Sequence, residues 1–187
     1  MKKLCGIMNL ITNLMSKKQN KKIRNATPVK IKGITFKSTT EKMMYRTLVE
    51  NGITPDYEKY TFLLWEGFSP ITPFYDQETP RQQEKRAEQE DPDRKPPKIL
   101  VLKSDKVVGI RYTPDFYFRK GDVDIWIEVK GHENDVFYIK KKMFRKFLDD
   151  KFLETGQRSM FFEIYTKRQL LQALCIINEY VESIKTD

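Results

Sequence analysis

The stretch RYTPDFYFRKGDVDIWIEVKG, residues 111–131, constrains the fold more than any other part of the chain. Two runs rich in aromatic and β-branched residues flank Gly121-Asp122, a two-residue turn with glycine first, of the kind that closes a hairpin. In the hairpin that this turn sets, Phe116 faces Ile127 and Pro114 faces Val129. One face is then entirely apolar, as the core side of a sheet should be.

The opposite face of this hairpin places Asp115 directly across from Glu128, with Lys130 two residues further along the same face. Opposed side chains have Cβ atoms roughly 5 Å apart, and two carboxylates so close repel unless a proton or a cation lies between them. Few hard oxygen ligands with positions left for water and phosphate are typical of magnesium sites in phosphoryl-transfer enzymes. The alternative is a solvated strand face with a weak surface salt bridge; the neighbours Tyr117 and Trp126 favour a site.

The net charge, the single histidine and the two cysteines limit which functions the chain can have. The chain of 187 residues has 35 Lys and Arg against 26 Asp and Glu, a net charge of +9, which suits nucleic acid or an acidic membrane surface. His132 is the only histidine, so mechanisms that need two imidazoles and histidine-rich metal sites are excluded. Cys5 and Cys175 have no metal or disulfide spacing, which fits a reducing cytoplasmic setting. No stretch reaches transmembrane length. A nucleic-acid partner and no membrane partner is expected, although charge alone does not separate the two.

The N-terminal residues 1–32 form a basic arm, because residues 1–37 contain ten Lys or Arg and no carboxylate. Within the arm, LCGIMNLITNLM has apolar residues at helical spacing. A short amphipathic helix is favoured over a signal peptide, since Asn and Thr interrupt the apolar run and no small-residue cleavage site follows. Such an arm contacts nucleic acid or is simply solvated.

Residues 33–187 are predicted to form one domain of class α/β with a central mixed sheet and flanking helices. A helix over residues 38–52, with Ser38 as N-cap and Gly52 at the end, precedes a strand in DYEKYTFLLWEGF. The helix VFYIKKKMFRKFLDDKFLE, the strand SMFFEIY and a closing helix follow the hairpin, and the first of these helices carries an apolar stripe: Ile139, Met143, Phe144, Phe147, Leu148 and Phe152. Residues 76–98 are charged, proline-broken and contain no Val, Ile, Leu, Met or aromatic residue, which predicts a mobile insertion without ordered structure.

The motif PD at Pro114-Asp115 followed by EVK at Glu128-Val129-Lys130 resembles the PD-(D/E)XK nuclease superfamily. GITFKSTTEKMMY before the motif and the lysine-rich helix after it resemble phage-encoded members, including the endonuclease I type of Holliday-junction resolvase. The similarity covers about residues 33–165. It implies a restriction-endonuclease-like core of helix, three strands, helix and strand.

The resemblance also implies roles for individual residues. Asp115 and Glu128 would bind Mg²⁺ or Mn²⁺, with the Val129 carbonyl as a further ligand, and Lys130 would position or activate the attacking water. Glu41 would complete the catalytic and metal site from the first helix. An alternative for Glu41 is a capping box, in which it returns a hydrogen bond to the Ser38 amide.

Other charged residues keep two interpretations. The basic side chains of the long helix are either a solvated face or contacts to a nucleic-acid backbone, which is favoured beside a phosphate-cleaving site: Lys140, Lys141, Lys142, Arg145 and Lys146. Glu58 is either a strand-surface charge or a group that supports the site, and His132 is a loop residue without a catalytic role.

The function expected from these features is metal-dependent hydrolysis of DNA, by a phage endonuclease of replication, recombination or junction resolution in the host cytoplasm. The expected substrate is DNA, whether branched, single-stranded or duplex. Symmetric cutting of two strands needs two active sites, which makes a homodimer a candidate assembly, although no motif specifies one. The alternative is a non-catalytic nucleic-acid-binding or virion-associated protein that keeps the nuclease fold.

Overall fold

The computed structural model describes residues 29–31, 33–90, 96–131 and 135–185. The predicted amphipathic helix of the arm and His132 lie outside these residues. In chain order the elements are β1 (Val29–Ile31), β2 (Ile34–Phe36), α1 (Thr39–Glu50), β3 (Asp56–Tyr57), β4 (Phe62–Trp65), β5 (Phe74–Gln77), α2 (Pro80–Glu90), β6 (Leu100–Lys103), β7 (Ile110–Tyr112), β8 (Phe116–Lys120), β9 (Val123–Val129), α3 (Asp135–Thr155), β10 (Arg158–Ile164) and α4 (Lys167–Ser183).

The central sheet has four strands in the order β10-β9-β8-β3. β8 and β9 form the predicted hairpin, with Phe116 opposite Ile127 and Lys120 opposite Val123. β10 runs parallel to β9, and β3 is antiparallel to β8 at the other edge. The predicted α/β class with a mixed sheet is therefore confirmed.

Both faces of the central sheet are covered, which explains why all seven residues of β9 are buried. The predicted apolar face packs against α1 and α4, in a core that includes Met44, Leu48, Phe116, Ile127 and Leu170. On the other face, α3 and the β4–β7 pair enclose an aromatic cluster. Its buried members are Tyr112, Trp126, Phe137, Phe144 and Leu148.

The first helix begins and ends where the sequence predicts. Ser38 is the N-cap, and its hydroxyl accepts the Glu41 N–H at 3.1 Å. After Asn51, Gly52 has φ of +77°, a left-handed conformation that glycine adopts without a steric penalty. The same helix turns Met44, Leu48 and the Glu41 side chain inward, so the cap and the core face together fix its position.

Two details of the predicted elements are wrong. The single strand expected in DYEKYTFLLWEGF is two strands, β3 and β4, because Glu58 between them has φ of +45° and breaks the extended backbone. The stripe of α3 is confirmed only in part. Phe144 and Leu148 are buried as predicted, but Ile139 and Phe152 are exposed, and Phe137, outside the predicted stripe, is buried.

The segment 76–98, expected to lack ordered structure, contains α2 and the end of β5. Arg86 donates to Glu78 at 2.6 Å and to the Pro97 carbonyl at 2.7 Å, and Gln83 donates to the Pro96 carbonyl at 2.6 Å. These polar contacts connect α2 to the residues that begin and end the insertion. They hold the helix in place where the segment has no large apolar side chains to pack. Among the described residues, no helix combines the length and apolar character needed to cross a membrane.

Candidate active site

Asp115 lies immediately before β8, at the point where the hairpin ladder ends. Its Oδ2 atom accepts the Val129 N–H at 2.7 Å. The β8–β9 ladder extends only to the pair Phe116–Ile127, and beyond it the Asp115 carboxylate takes the place of a backbone acceptor for the Val129 N–H. Only 8% of Asp115 is exposed, and the carboxylate is held beside β9 rather than in solvent.

Glu128 lies in β9 on the same side of the hairpin, with 5% of the residue exposed. The Tyr112 hydroxyl donates to its Oε2 at 2.7 Å, and Lys130 Nζ lies 2.5 Å from its Oε1. The Lys130 ammonium also lies 3.8 Å from the centre of the Phe137 ring, an arrangement that favours a cation. Each oxygen of Glu128 therefore has a fixed donor.

An open cavity of about 440 Å³ joins these groups. All five residues predicted for the metal or catalytic site line it: Glu41, Asp115, Glu128, Val129 and Lys130. The sequence interpretation missed other lining residues, which come from several elements: Lys37, Arg111, Tyr112, Thr113, Val136 and Phe137. Tyr112 and Arg111 directly precede the TPD segment, but their orientation depends on the pairing of β7 with β4, which no local pattern shows.

Glu41 both bonds to the N-cap residue Ser38 and lines the cavity. Its Oε1 accepts the Ser38 hydroxyl at 2.9 Å, and its Oε2 accepts the Tyr57 hydroxyl at 2.6 Å. Oε2 also accepts the backbone N–H of Lys37 at 3.0 Å, rather than the Ser38 amide that the capping-box alternative names. Burial and the bond to Glu41 raise the pKa of the Tyr57 phenol, which keeps this donor protonated.

Glu58 supports the cavity wall, one of the two interpretations left open by the sequence. Its left-handed backbone lets the Glu58 N–H donate to the Asp115 carbonyl at 2.9 Å. The Glu58 side chain lines the cavity and pairs with Lys37. The left-handed conformation that separates β3 from β4 thus connects Glu58 directly to the backbone of Asp115.

The two central carboxylates share one poorly solvated pocket. Burial raises the pKa of Asp115 well above its ordinary value, and the adjacent charge of Glu128 raises it further. Burial also raises the pKa of Glu128, although Lys130 and Tyr112 oppose this shift by bonding to the carboxylate. Since nearby acids raise each other's pKa, a cation between them would stabilise both charges.

A divalent cation fits this donor set. Within the part of the chain that the structure describes, no group of three or more His, Cys, Asp or Glu is arranged to hold a metal. Mg²⁺, however, keeps several waters and is commonly bound through one or two carboxylates plus substrate phosphates. Asp115 and Glu128 supply two such carboxylates at the wall of an open cavity.

The predicted nucleic-acid contacts on α3 do not form a single face. Lys140 lines the cavity, whereas Lys141 pairs with Glu163 at 2.7 Å. Lys142 lies 4.3 Å from the Tyr138 ring centre, and Lys146 pairs with Asp150 on the exposed surface. Arg145 is exposed. Lys140 is therefore the member of this set that reaches the acid pair's cavity.

The raised pKa of Asp115 predicts a pH-dependent stability of the metal-free protein. The folded-state pKa of this carboxyl lies above its unfolded value of about 3.9. As pH rises from the unfolded pKa to the folded one, the group therefore destabilises the fold progressively. Asp115→Asn removes this charge and keeps an oxygen for the Val129 N–H. We expect the variant to be more stable than wild type at pH 8 by about 1–3 kcal/mol, the scale of an uncompensated buried polar group, and the difference to shrink toward pH 4.

Urea unfolding in EDTA at several pH values measures this difference. Asp124→Asn is the matched control, because Asp124 is also buried in the hairpin but has its own partners, Tyr117 at 2.9 Å and Lys151 at 3.5 Å. The control should not become more stable. Equal or lower stability of Asp115→Asn at pH 8 would show that the acid pair is not under electrostatic strain.

No protein-family model, curated protein or solved structure matches the chain. The functional inference therefore depends on the geometry and chemistry of the cavity.

Proposed function

We propose that the protein is a metal-dependent nuclease that hydrolyses DNA phosphodiester bonds. The observation that carries this proposal is the pair of buried carboxylates, Asp115 and Glu128, in one open cavity with the Lys130 ammonium. A purely structural role would not explain two buried acids at one open cavity, each with a pKa raised by burial. A phosphodiester substrate brings the negative charge that a cation and Lys130 would meet.

Each residue of the site has a role in this reaction. Asp115 and Glu128 would hold Mg²⁺ or Mn²⁺, with the Val129 carbonyl as a further oxygen ligand, and Glu41 would complete the site from α1. The cation supplies Lewis acidity toward the phosphate and its attacking water. Lys130, fixed between Glu128 and the Phe137 ring, donates hydrogen bonds that orient the water and stabilise charge developing on phosphate. No histidine base is needed.

The walls of the cavity suit a polyanion. Lys37, Arg111 and Lys140 line the same opening as the acid pair, and the whole chain carries a net charge of +9. Cationic side chains that flank a reaction centre contact phosphates and position the backbone without reading sequence. We assign Lys140 the most direct contact near the cleaved bond, and Lys142 and Arg145 contacts further along the strand.

The finer assignment is an endonuclease of PD-(D/E)XK type with a restriction-endonuclease-like core, acting in phage replication, recombination or junction resolution in the host cytoplasm. Its support is the order of elements around the site: α1 with an inward Glu41, the acid-bearing hairpin, α3 and then the parallel strand β10. A homodimer would supply the two sites needed to cut both strands.

A substrate panel tests the proposed function. Wild type and Glu128→Ala are incubated with branched, single-stranded and duplex DNA in Mg²⁺, in Mn²⁺ and in EDTA. We expect wild type to cut at least one substrate only with metal, and Glu128→Ala to cut none. If wild type binds these substrates without cutting any, the nuclease proposal fails and the non-catalytic DNA-binding alternative is favoured.

A further inference from the structure

We propose that Tyr112 is a positioning residue that fixes the Glu128 carboxylate for cation binding, an inference that rests on the proposed metal-dependent function. Tyr112 donates its hydroxyl hydrogen to Glu128 Oε2 at 2.7 Å, and this hydrogen bond is buried. The tyrosine lies in β7, outside the four-stranded sheet that contains Glu128. A separate part of the fold therefore sets the orientation of this carboxylate.

The Tyr112 ring is fixed in place by its neighbours. It lies 4.8 Å from the Phe144 ring and 6.3 Å from the Phe137 ring, both on α3. The Phe161 ring of β10 lies edge-on at 6.4 Å. Only 6% of Tyr112 is exposed, so the packed ring holds its hydroxyl oxygen next to Glu128, to which it donates.

The hydrogen bond matters because Glu128 has a competing partner. Lys130 Nζ lies 2.5 Å from the other oxygen, Oε1. With this ammonium as its one side-chain partner, the Glu128 carboxylate could rotate until both of its oxygens contacted Lys130. With Tyr112 on Oε2 and Lys130 on Oε1, the carboxylate plane is fixed by two side-chain donors, and because each oxygen has two lone pairs the carboxylate can still accept a cation. Groups that hydrogen-bond to metal ligands in this way typically affect metal affinity or activity by about 10–100-fold.

The chain offers a matched control for this inference. Tyr117 donates its hydroxyl to Asp124 Oδ1 at 2.9 Å, in another tyrosine–carboxylate pair on the same face of the hairpin. Tyr117 belongs to the same aromatic cluster, where its ring centre lies 4.3 Å from that of Trp126. It does not line the cavity of the acid pair. Tyr117→Phe therefore removes the same kind of bond without touching Glu128.

Mn²⁺ binding to the full chain without nucleic acid tests the inference. Calorimetry or electron paramagnetic resonance gives the affinity, and the Mn²⁺-induced rise in melting temperature gives a second readout. We expect Tyr112→Phe to weaken Mn²⁺ binding by about 10–100-fold, and Tyr117→Phe to bind like wild type. Phenylalanine preserves the ring contacts of both tyrosines, so both variants keep the aromatic packing.

The outcomes separate this inference from the proposed function. Tight Mn²⁺ binding by wild type with equal affinity in Tyr112→Phe would overturn the positioning role and leave the nuclease proposal standing. A wild-type protein that binds no Mn²⁺ would overturn both. Equal weakening by Tyr112→Phe and Tyr117→Phe would also overturn the inference, since the effect would come from the aromatic cluster as a whole.

Discussion

Asp115→Asn should lower the single-turnover rate of metal-dependent cleavage by at least about 10³-fold. The substitution removes a negative charge from the cation site. A bound metal supplies several kcal/mol of transition-state stabilisation, and each loss of about 1.4 kcal/mol slows the reaction tenfold. The asparagine oxygen can still accept the Val129 N–H that Asp115 accepts at 2.7 Å. The loss is therefore expected in the chemistry and not in the fold.

DNA binding by the same variant separates the two functional hypotheses. Loss of a carboxylate beside the proposed phosphate path should leave binding unchanged or tighten it, because the acid repels the phosphate when no cation is present. Asp124→Asn, which changes a buried acid outside the cavity, should cleave like wild type. Cleavage by Asp115→Asn at the wild-type rate would show that Asp115 does not hold the reactive cation.

Lys130→Met should slow cleavage by about 10²-fold or more, the effect of losing one preorganised electrostatic donor. The methionine keeps a stem of similar length but has no ammonium to lie over the Phe137 ring, to orient water or to meet charge on phosphate. The substitution should scarcely change DNA affinity, since Lys37, Arg111 and Lys140 remain in the cavity wall. Single-turnover kinetics at saturating DNA measures the chemical step separately from binding.

The structure also changes what Lys130→Met should do to stability. On a solvated strand face, the alternative that the sequence left for Lys130, replacing the lysine would change stability by no more than about 1 kcal/mol. In the structure its side chain is only 19% exposed and pairs with the buried Glu128, so its removal leaves a buried charge with one donor fewer. We expect a larger loss of stability in EDTA, which Mn²⁺ reverses.

Lys151→Met is the matched control for this variant, because Lys151 also pairs with a buried acid, Asp124, but lies outside the cavity. It should cleave at the wild-type rate. A Lys130→Met protein that cleaves as fast as this control would make Lys130 a spectator in the reaction.

The central hairpin could be predicted from sequence because its information is local. A glycine-first turn and strict alternation set the register from Phe116–Ile127 to Lys120–Val123. That register places Asp115, Glu128 and Lys130 near one another without knowledge of the remaining fold. The inward position of Glu41 could also be predicted, since its place after the N-cap and its helical face both depend on residues in and next to α1.

Features that depend on tertiary contacts could not be predicted in the same way. The break at Glu58 comes from a left-handed φ at a residue that rarely adopts one. The helix α2 is anchored by the pairing of Arg86 with Glu78 and by carbonyls beyond it, whereas composition alone predicts disorder. The contact of Tyr112 with Glu128 links two separate sheets, so no periodicity within either strand indicates it.

Diffraction from crystals soaked in Mn²⁺ shows whether Asp115 and Glu128 hold a cation between them, because Mn²⁺ scatters anomalously and marks its own position. We predict one anomalous peak in the cavity, in contact with carboxylate oxygens of both Asp115 and Glu128, and its loss in Asp115→Asn crystals. Soaked wild-type crystals with no peak between these residues, and with Asp115 and Glu128 in their metal-free positions, would contradict the account.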